Sequence, residues 1–367
     1  MELDEKPLPD PPPDFVLKAV MAARQKGRAA FDAAFPAEVV LLDWIGGLPR
    51  LIIAGRMAAL RVPDLLAQGP LSSEEIATRL GQDVDAMHRS LRVCAAHGLF
   101  TLRGDGKFEN NRLSRALETG TPSRTRDFFE YYASASNVAA WRDFPETLRT
   151  GENAFDRVHG VSVWDWFDAH PHERETFAQA MMGMSVMVAP FVAKMYPFHE
   201  LGTVCDVGGG RGTLLSELLV RNPGLKGILC DAPGVLDSAR SLVAARGLVD
   251  RMELVPGSFF DEVPSGADAY LLKTVLHDWD DRRCEKILGV VRKAMKPGAK
   301  VLVVEQLVER FSDDPMGTGS DVQMMIVCGE GRERGREEFA ALLDRSGFAL
   351  GRVFEGPVTA VIEGVAR

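Results

Sequence analysis

Val204-Cys205-Asp206-Val207-Gly208-Gly209-Gly210-Arg211-Gly212-Thr213 closes a short apolar run and opens an amphipathic one. The pattern predicts a strand, a glycine turn and a helix. Glycines at such a turn let the backbone reverse tightly and approach a ligand with no side chain in between. About twenty residues further on, a second apolar run, GILCDA, ends at Asp231, where an acid commonly accepts hydrogen bonds from ribose hydroxyls. The two features together predict a nucleoside-binding fold. No Lys-Ser or Lys-Thr follows the glycines, so a Walker A phosphate loop is excluded. The charge of Asp206 separates the remaining ligands. A carboxylate at the tip of the first strand repels a pyrophosphate but attracts the ammonium and sulfonium of S-adenosylmethionine (SAM). A nicotinamide domain is also disfavoured by the late position of the turn in the chain.

Toward the C-terminus, short apolar runs alternate with amphipathic helices: TVCDVG, GILCDA, MELVPG, AYLLKTVL and KVLVVEQLV. Strands spaced by helices of this length build a parallel sheet covered on both faces. The expected class is α/β, with a Rossmann-like domain over 197–367 and a boundary near Pro197. Toward the N-terminus the pattern is helical. Residues 15–120 contain LSSEEIATRLGQ, in which Ser72 or Ser73 caps a helix and Gly81 stops it. A second helix from Asp83 to His97 and a hairpin turning at Gly104-Asp105-Gly106 follow. That is a winged helix. Residues 121–196 read as a helical linker, rich in aromatic and methionine side chains, that walls a substrate pocket. Residues 1–14, acidic and proline-rich, read as a disordered or extended tail.

The 367-residue chain carries a formal charge of −9, with 46% apolar and 26% charged residues. Those values describe a globular protein without the basic face of a nucleic-acid binder. Cys94, Cys205, Cys230, Cys284 and Cys328 are scattered without a CxxC pair, as in a reduced cytoplasmic protein. No secretory signal is evident. Apolar stretches such as VVLLDWIGGLPRLIIAG are interrupted too soon to cross a bilayer, so no membrane partner is expected. The histidines lack metal-ligand spacing, and no metal is expected.

After the AYLLK strand comes Thr274-Val275-Leu276-His277-Asp278-Trp279-Asp280-Asp281, at the carboxyl edge where α/β sheets bind ligands. Methyl transfer to a hydroxyl is faster when the hydroxyl proton leaves as the new bond forms. An imidazole with an ordinary pKa near 6.5 suits that task, which makes His277 the candidate general base. The ring needs an acid on its other nitrogen, and Glu305 and Glu333 both qualify. The plain alternative is that His277 and Asp278 belong to the start of the next helix, capped by Asp278 or Asp280.

VCDVGGGRG, LCDAP, GSFFDEVP, LLKTVLHDWDD and GRERGREEF occur in order. With them the chain resembles the SAM-dependent small-molecule O-methyltransferases, which include plant caffeic acid and flavonoid enzymes and bacterial polyketide-tailoring enzymes. The similarity runs from about Leu41 to the C-terminus. It implies a class I SAM-dependent methyltransferase domain behind a winged-helix dimerisation domain, and a homodimer in which one protomer helps close the other's site. It further implies that Gly208 and Gly210 approach SAM, Asp231 binds its ribose, and Ser258 and Phe259 flank its adenine. Lys273 would lie near the methionine moiety, with Met181 and Ser185 approaching from the helical region. His277 would be the base, flanked by Glu305 and Glu333, and the acceptor a small aromatic natural product. Three positions depart from the family pattern. Ser258 stands where Asp is common, and Glu330 and Gly335 where glycine and threonine are usual. Other chemistry on this fold, C- or N-methylation or a diverted reaction, is a second reading. A winged-helix regulator that reads DNA is a third, disfavoured because only Arg89 and Arg92 are firm cations on its second helix.

Overall fold

In a computed structural model of the chain, residues 6–367 are described. They form two compact units that interleave along the sequence. One takes Phe15–Val138 and His170–Met184, and the other takes residues 6–14, Ala139–Ala169 and Ser185–Arg367. The sequence-based partition is therefore corrected. The stretch 121–196 is no single linker, and the break falls inside the helix Pro171–Met195 rather than at Pro197. The reason is packing. Val186, Ala189 and Val192 on the C-terminal half of that helix are buried in the core beneath the large sheet. By length and composition alone this helix could cross a membrane, but that burial makes it a core helix.

The first unit contains the winged helix. Ser72 caps the helix Ser73–Leu80 through a reciprocal box: its hydroxyl accepts the Glu75 N–H at 3.1 Å, and the Glu75 carboxylate accepts the Ser72 N–H at 2.7 Å. Gly81 ends the helix at φ +62, a conformation glycine adopts without cost. Asp83 caps the helix Val84–Ala96. Strands β1 (Phe100–Leu102) and β2 (Phe108–Asn110) then pair antiparallel. Ile76, Leu91, Phe100 and Phe108 are fully buried between these elements. Removing the cap with Ser72→Ala is expected to destabilise this unit by about 1 kcal/mol, measurable by denaturant unfolding. The helices Asp14–Asp32 and Ala37–Ile45 bury none of their residues, and Trp44 and Ile45 are more than two-thirds exposed.

The second unit is built on a seven-stranded sheet. Its strands are β3 (Thr203–Val207), β4 (Lys226–Asp231), β5 (Met252–Pro256), β6 (Ala269–Lys273), β7 (Lys300–Glu305), β8 (Phe348–Glu355) and β9 (Ala360–Ala366), in the order β5-β4-β3-β6-β7-β9-β8. The first five run parallel, as the alternating pattern predicts. The last two form an antiparallel pair added at the β7 edge, which the strand–helix alternation does not announce. Apolar clusters cover both faces of the sheet. Strand order reverses between β3 and β6, so the carboxyl ends of these two strands frame the crevice in which an α/β sheet holds its ligand.

The N-terminal tail is corrected in part. Residues 1–5 lie outside the described residues, while residues 6–13 are extended and docked rather than free. Leu8 is buried, and its N–H donates to both oxygens of the Glu217 carboxylate at 3.0 and 3.1 Å. Arg246, itself fully buried, pairs with Glu217 at 2.8 Å and donates to the Lys6 carbonyl, while Arg221 holds the Leu8 carbonyl and Asp10. A buried carboxylate needs such donors, and the tail backbone supplies one of them.

Candidate active site

The turn after β3 brings Gly208 and Gly209 close to neighbours that would crowd a side chain, while Gly210 meets none. A Cβ on Gly209 would stand 2.5 Å from the Asp206 carboxylate and from Leu229, and one on Gly208 would press on Val275 and Phe259. Gly208, Gly210 and Gly212 all have positive φ. Asp206 is 1% exposed, and neither of its carboxylate oxygens has a hydrogen-bond partner. Burial raises its pKa to about 7 against the pull of the Lys273 ammonium, with Asp231 adding to the rise. A buried carboxyl left without donors is costly, so its natural complement is a cationic or hydrogen-donating ligand group. Asp231, at the end of β4, accepts the Gly210 N–H at 2.8 Å and the Ala232 N–H at 2.7 Å, which ties the turn to the acid.

An aromatic wall stands next to the turn. Phe259 packs 4.9 Å from Phe260 between ring centres. Phe260 meets Trp279 edge-on at 4.9 Å, and Trp279 stacks on Trp164 at 5.9 Å. The buried Trp279 Nε1 has no partner. Ser258 is exposed, and its hydroxyl accepts the Phe260 N–H at 3.2 Å, so it caps a local turn in this structure.

At the end of β6 the backbone is strained. Thr274 has φ +50, a conformation a β-branched residue rarely adopts. It is held there by a bond from its N–H to the Val304 carbonyl at 3.0 Å and by its hydroxyl, which donates to the Lys273 carbonyl and accepts the Lys273 ammonium. The bend aims three successive amides at Glu305. One of its oxygens accepts the N–H groups of Val275, Leu276 and His277 at 3.1, 3.1 and 3.4 Å. Asp280, not Asp278, caps the helix Asp281–Ala294, which leaves the His277 and Asp278 side chains in the site.

The His277 ring is flanked on both nitrogens. Its Nδ1 lies 3.2 Å from Glu333 Oε1 and 3.6 Å from Glu305 Oε2, and its Nε2 lies 3.5 Å from Asp278 Oδ1. The two candidate acids thus divide the work: Glu305 holds the backbone that carries the ring, while Glu333 makes the closer contact with the ring itself. Burial alone would lower the imidazole pKa. Glu305, Asp278 and Glu333 outweigh it and raise the value to about 10. Burial likewise lifts Glu305 to about 7 and Asp278 to about 6, with the His277 charge working against both rises. The expectation that His277 titrates near 6.5 is corrected upward. Asp278 at the second nitrogen is a neighbour that the sequence reading placed only as a possible cap.

The Glu333 loop is held against His277 by its backbone. A Cβ on Gly331 would stand 2.7 Å from the His277 carbonyl, and the Arg332 N–H donates to that carbonyl at 2.8 Å. At Gly335 a Cβ would meet the movable end of the Glu309 side chain at 2.6 Å, and nothing in the structure explains the departure there. Ser185 is buried in the same unit as the sheet, whereas Met181 belongs to the other unit.

Residues 141–349 match the family model of the O-methyltransferase domain, and residues 56–120 match the O-methyltransferase dimerisation domain. The mitomycin biosynthesis 6-O-methyltransferase of Streptomyces lavendulae is 39% identical over 82% of this chain and 87% of its own length. The 8-amino-8-demethylriboflavin N,N-dimethyltransferase of Streptomyces davaonensis is 32% identical over 84% and 89%. Among solved structures, the O-methyltransferase NcsB1 from neocarzinostatin biosynthesis, in complex with SAM and 2-hydroxy-5-methyl naphthoic acid, superposes with a TM-score of 0.75. Its identity is 31%, over 86% of this chain and 96% of that one. This chain belongs to the SAM-dependent small-molecule O-methyltransferase family. It is an enzyme of that class, its co-substrate is SAM, and it carries the family's dimerisation domain.

Proposed function

We propose that this enzyme moves the SAM methyl group to a hydroxyl of a small aromatic natural product, with His277 as the general base. The observation that carries the reading is the imidazole at the carboxyl edge of β6, held by Glu333 on one nitrogen while the other faces away from that acid. SAM supplies an electrophilic methyl on a sulfonium. The chain supplies the place for the departing proton: His277 Nε2 accepts it as the hydroxyl oxygen becomes bonded to carbon, and Glu333 and Asp278 stabilise the imidazolium that results.

The residues present fit SAM. The orphaned Asp206 carboxylate suits its positive end, Asp231 its ribose, and the wall at Phe259 with the unpaired Trp279 Nε1 its adenine. Gly208 and Gly210 would border the ligand, Lys273 would lie toward the methionine end, and Ser185 and Met181 would approach the cofactor. Ser258 would flank the adenine, its hydroxyl accepting the Phe260 N–H while its own O–H remains able to donate. The exposed apolar faces of the helices Asp14–Asp32 and Ala37–Ile45 support a homodimer, and the cysteine pattern a cytoplasmic enzyme.

The decisive assay is transfer of isotope-labelled methyl from SAM to a panel of phenolic acceptors, followed by mass spectrometry, with labelled ether as the expected product. Exclusive labelling of nitrogen in aminophenol acceptors would replace this reading with N-methylation, which the dimethyltransferase relative makes the specific competitor. One nitrogen of His277 and one oxygen each of Glu305 and Glu333 lie within 4.8 Å of one another. We read this set as handling a proton, without a metal. Dialysis against a chelator is expected to leave the methylation rate unchanged, and a loss restored by added divalent cation would overturn the metal-free reading.

A further inference from the structure

We infer that Ser320 is a positioning residue for the base, selecting Glu333 rather than Glu305 as the acid that holds the His277 ring. The inference rests on the general-base reading above. Ser320 lies on the helix Pro315–Val327, and its hydroxyl donates to Glu333 Oε1 at 2.7 Å. This is the same oxygen that faces His277 Nδ1 at 3.2 Å, so the hydroxyl and the ring share one carboxylate oxygen. The other oxygen, Oε2, has no partner, and Glu333 is 4% exposed. The next residue on the helix, Asp321, accepts the Glu333 N–H at 2.9 Å. Adjacent residues of one helix therefore hold Glu333 at its backbone and at its side chain.

The hydroxyl has an electrostatic consequence because two acids compete for one ring. Glu305 and Glu333 both approach Nδ1, and two buried carboxylates this close resist joint ionisation. A donor to the ionised form favours it. Ser320 supplies one to Glu333, whose pKa is lowered despite burial, chiefly by His277 and then by Ser320 and Arg334. Glu305 receives only backbone donors and stays raised. The groups around this carboxylate are His277 and Asp278 after β6, Glu305 at the end of β7, Asp321 on the helix, and the neighbouring Arg334, with Cys328 beside Asp278. Arg334 is committed elsewhere, to the Leu276 and Trp279 carbonyls and Asp281. Among the described residues, Ser320 and His277 are the side chains that donate to Glu333 Oε1.

Without the Ser320 hydroxyl, an ionised Glu333 presents a less compensated charge to Nδ1, so the ring should hold its proton more tightly. The experiment follows the imidazole nitrogens of His277 by NMR in histidine-labelled full-length protein across an alkaline titration. Ser320→Ala is expected to move the His277 midpoint to higher pH by about half a unit or more and to lower kcat about threefold or more at neutral pH. The acceptor KM should be unchanged, and Ser320→Thr should restore both. Unchanged SAM binding in calorimetry checks folding. An unmoved midpoint in the alanine variant, or a threonine variant that fails in the same way, overturns the inference. His277→Ala is assayed in parallel. If it keeps full activity, the base assignment falls and Ser320 loses its role with it. If it is inactive while Ser320→Ala leaves the titration untouched, only the Ser320 inference fails.

Discussion

Replacing His277 by alanine is expected to lower kcat/KM by about 10²- to 10⁴-fold, the usual contribution of a positioned acid or base, while SAM affinity in calorimetry stays as in the parent enzyme. The separation follows from the architecture. The glycine turn, Asp206 and Asp231 belong to β3 and β4, whereas the ring stands after β6, and Glu305 holds the backbone amides there whatever side chain residue 277 carries. The pH profile gives the second signature. The flanking carboxylates hold the imidazole well above its ordinary 6.5, so the rising limb of kcat/KM should lie on the alkaline side of that value. The same shift bears on stability. A ring whose pKa is raised on folding adds stability that is complete below about pH 6.5 and disappears as pH climbs through the folded value. Parent and His277→Gln proteins should therefore differ most in thermal stability at acidic pH and converge in alkali. Near-parental turnover in the alanine variant would remove His277 from the chemistry.

Asp206→Asn should weaken SAM binding by about thirtyfold or more at pH 8, since it removes a buried charge that the cationic ligand would compensate. Without SAM, the same substitution should stabilise the protein. Asp206 is buried, has no hydrogen-bond donor, and keeps its proton up to about pH 7, whereas the carboxyl of an unfolded chain releases it near 3.8. The folded state therefore holds the extra proton between these values, and the cofactor-free enzyme loses stability as pH rises through them, by at most about 1.4 kcal/mol per pH unit. The asparagine variant is neutral throughout. Its melting temperature at pH 8 should exceed the parent's by about 2 °C or more, and the order should reverse in saturating SAM. For the parent, SAM affinity should fall by up to about tenfold per unit as pH drops below 7, a dependence the variant lacks. A variant that binds SAM normally, with the same pH dependence, would show that this carboxylate does not face the ligand.

Much of this site was legible because its signals are local. The glycine turn, the acid ending β4 and the histidine after β6 each lie within a few residues of a strand end, and a parallel sheet brings its strand ends to one edge. The choice between Glu305 and Glu333 was not legible. Both acids lie far from His277 in sequence, and their division of labour depends on which one meets backbone amides and which meets the ring. Asp278 illustrates the same gap. As a residue beside a helix start it reads as a cap, until the 3-10 turn Leu276–Asp278 leaves capping to Asp280 and places the Asp278 carboxylate 3.5 Å from His277 Nε2.

The glycines of Val204–Thr213 and the alternation of strand and helix by themselves determined a nucleoside-binding α/β domain, since period and turn chemistry are properties of neighbouring residues. The order of its motifs determined the family. Tertiary structure alone decided how the two units share the helix Pro171–Met195, because an apolar helix face does not specify which core will cover it. Tertiary structure also decided that residues 6–10 are held by Glu217, Arg221 and Arg246, and that three carboxylates surround one imidazole. Burial and proximity set those charges, and both arise only when distant segments are packed together.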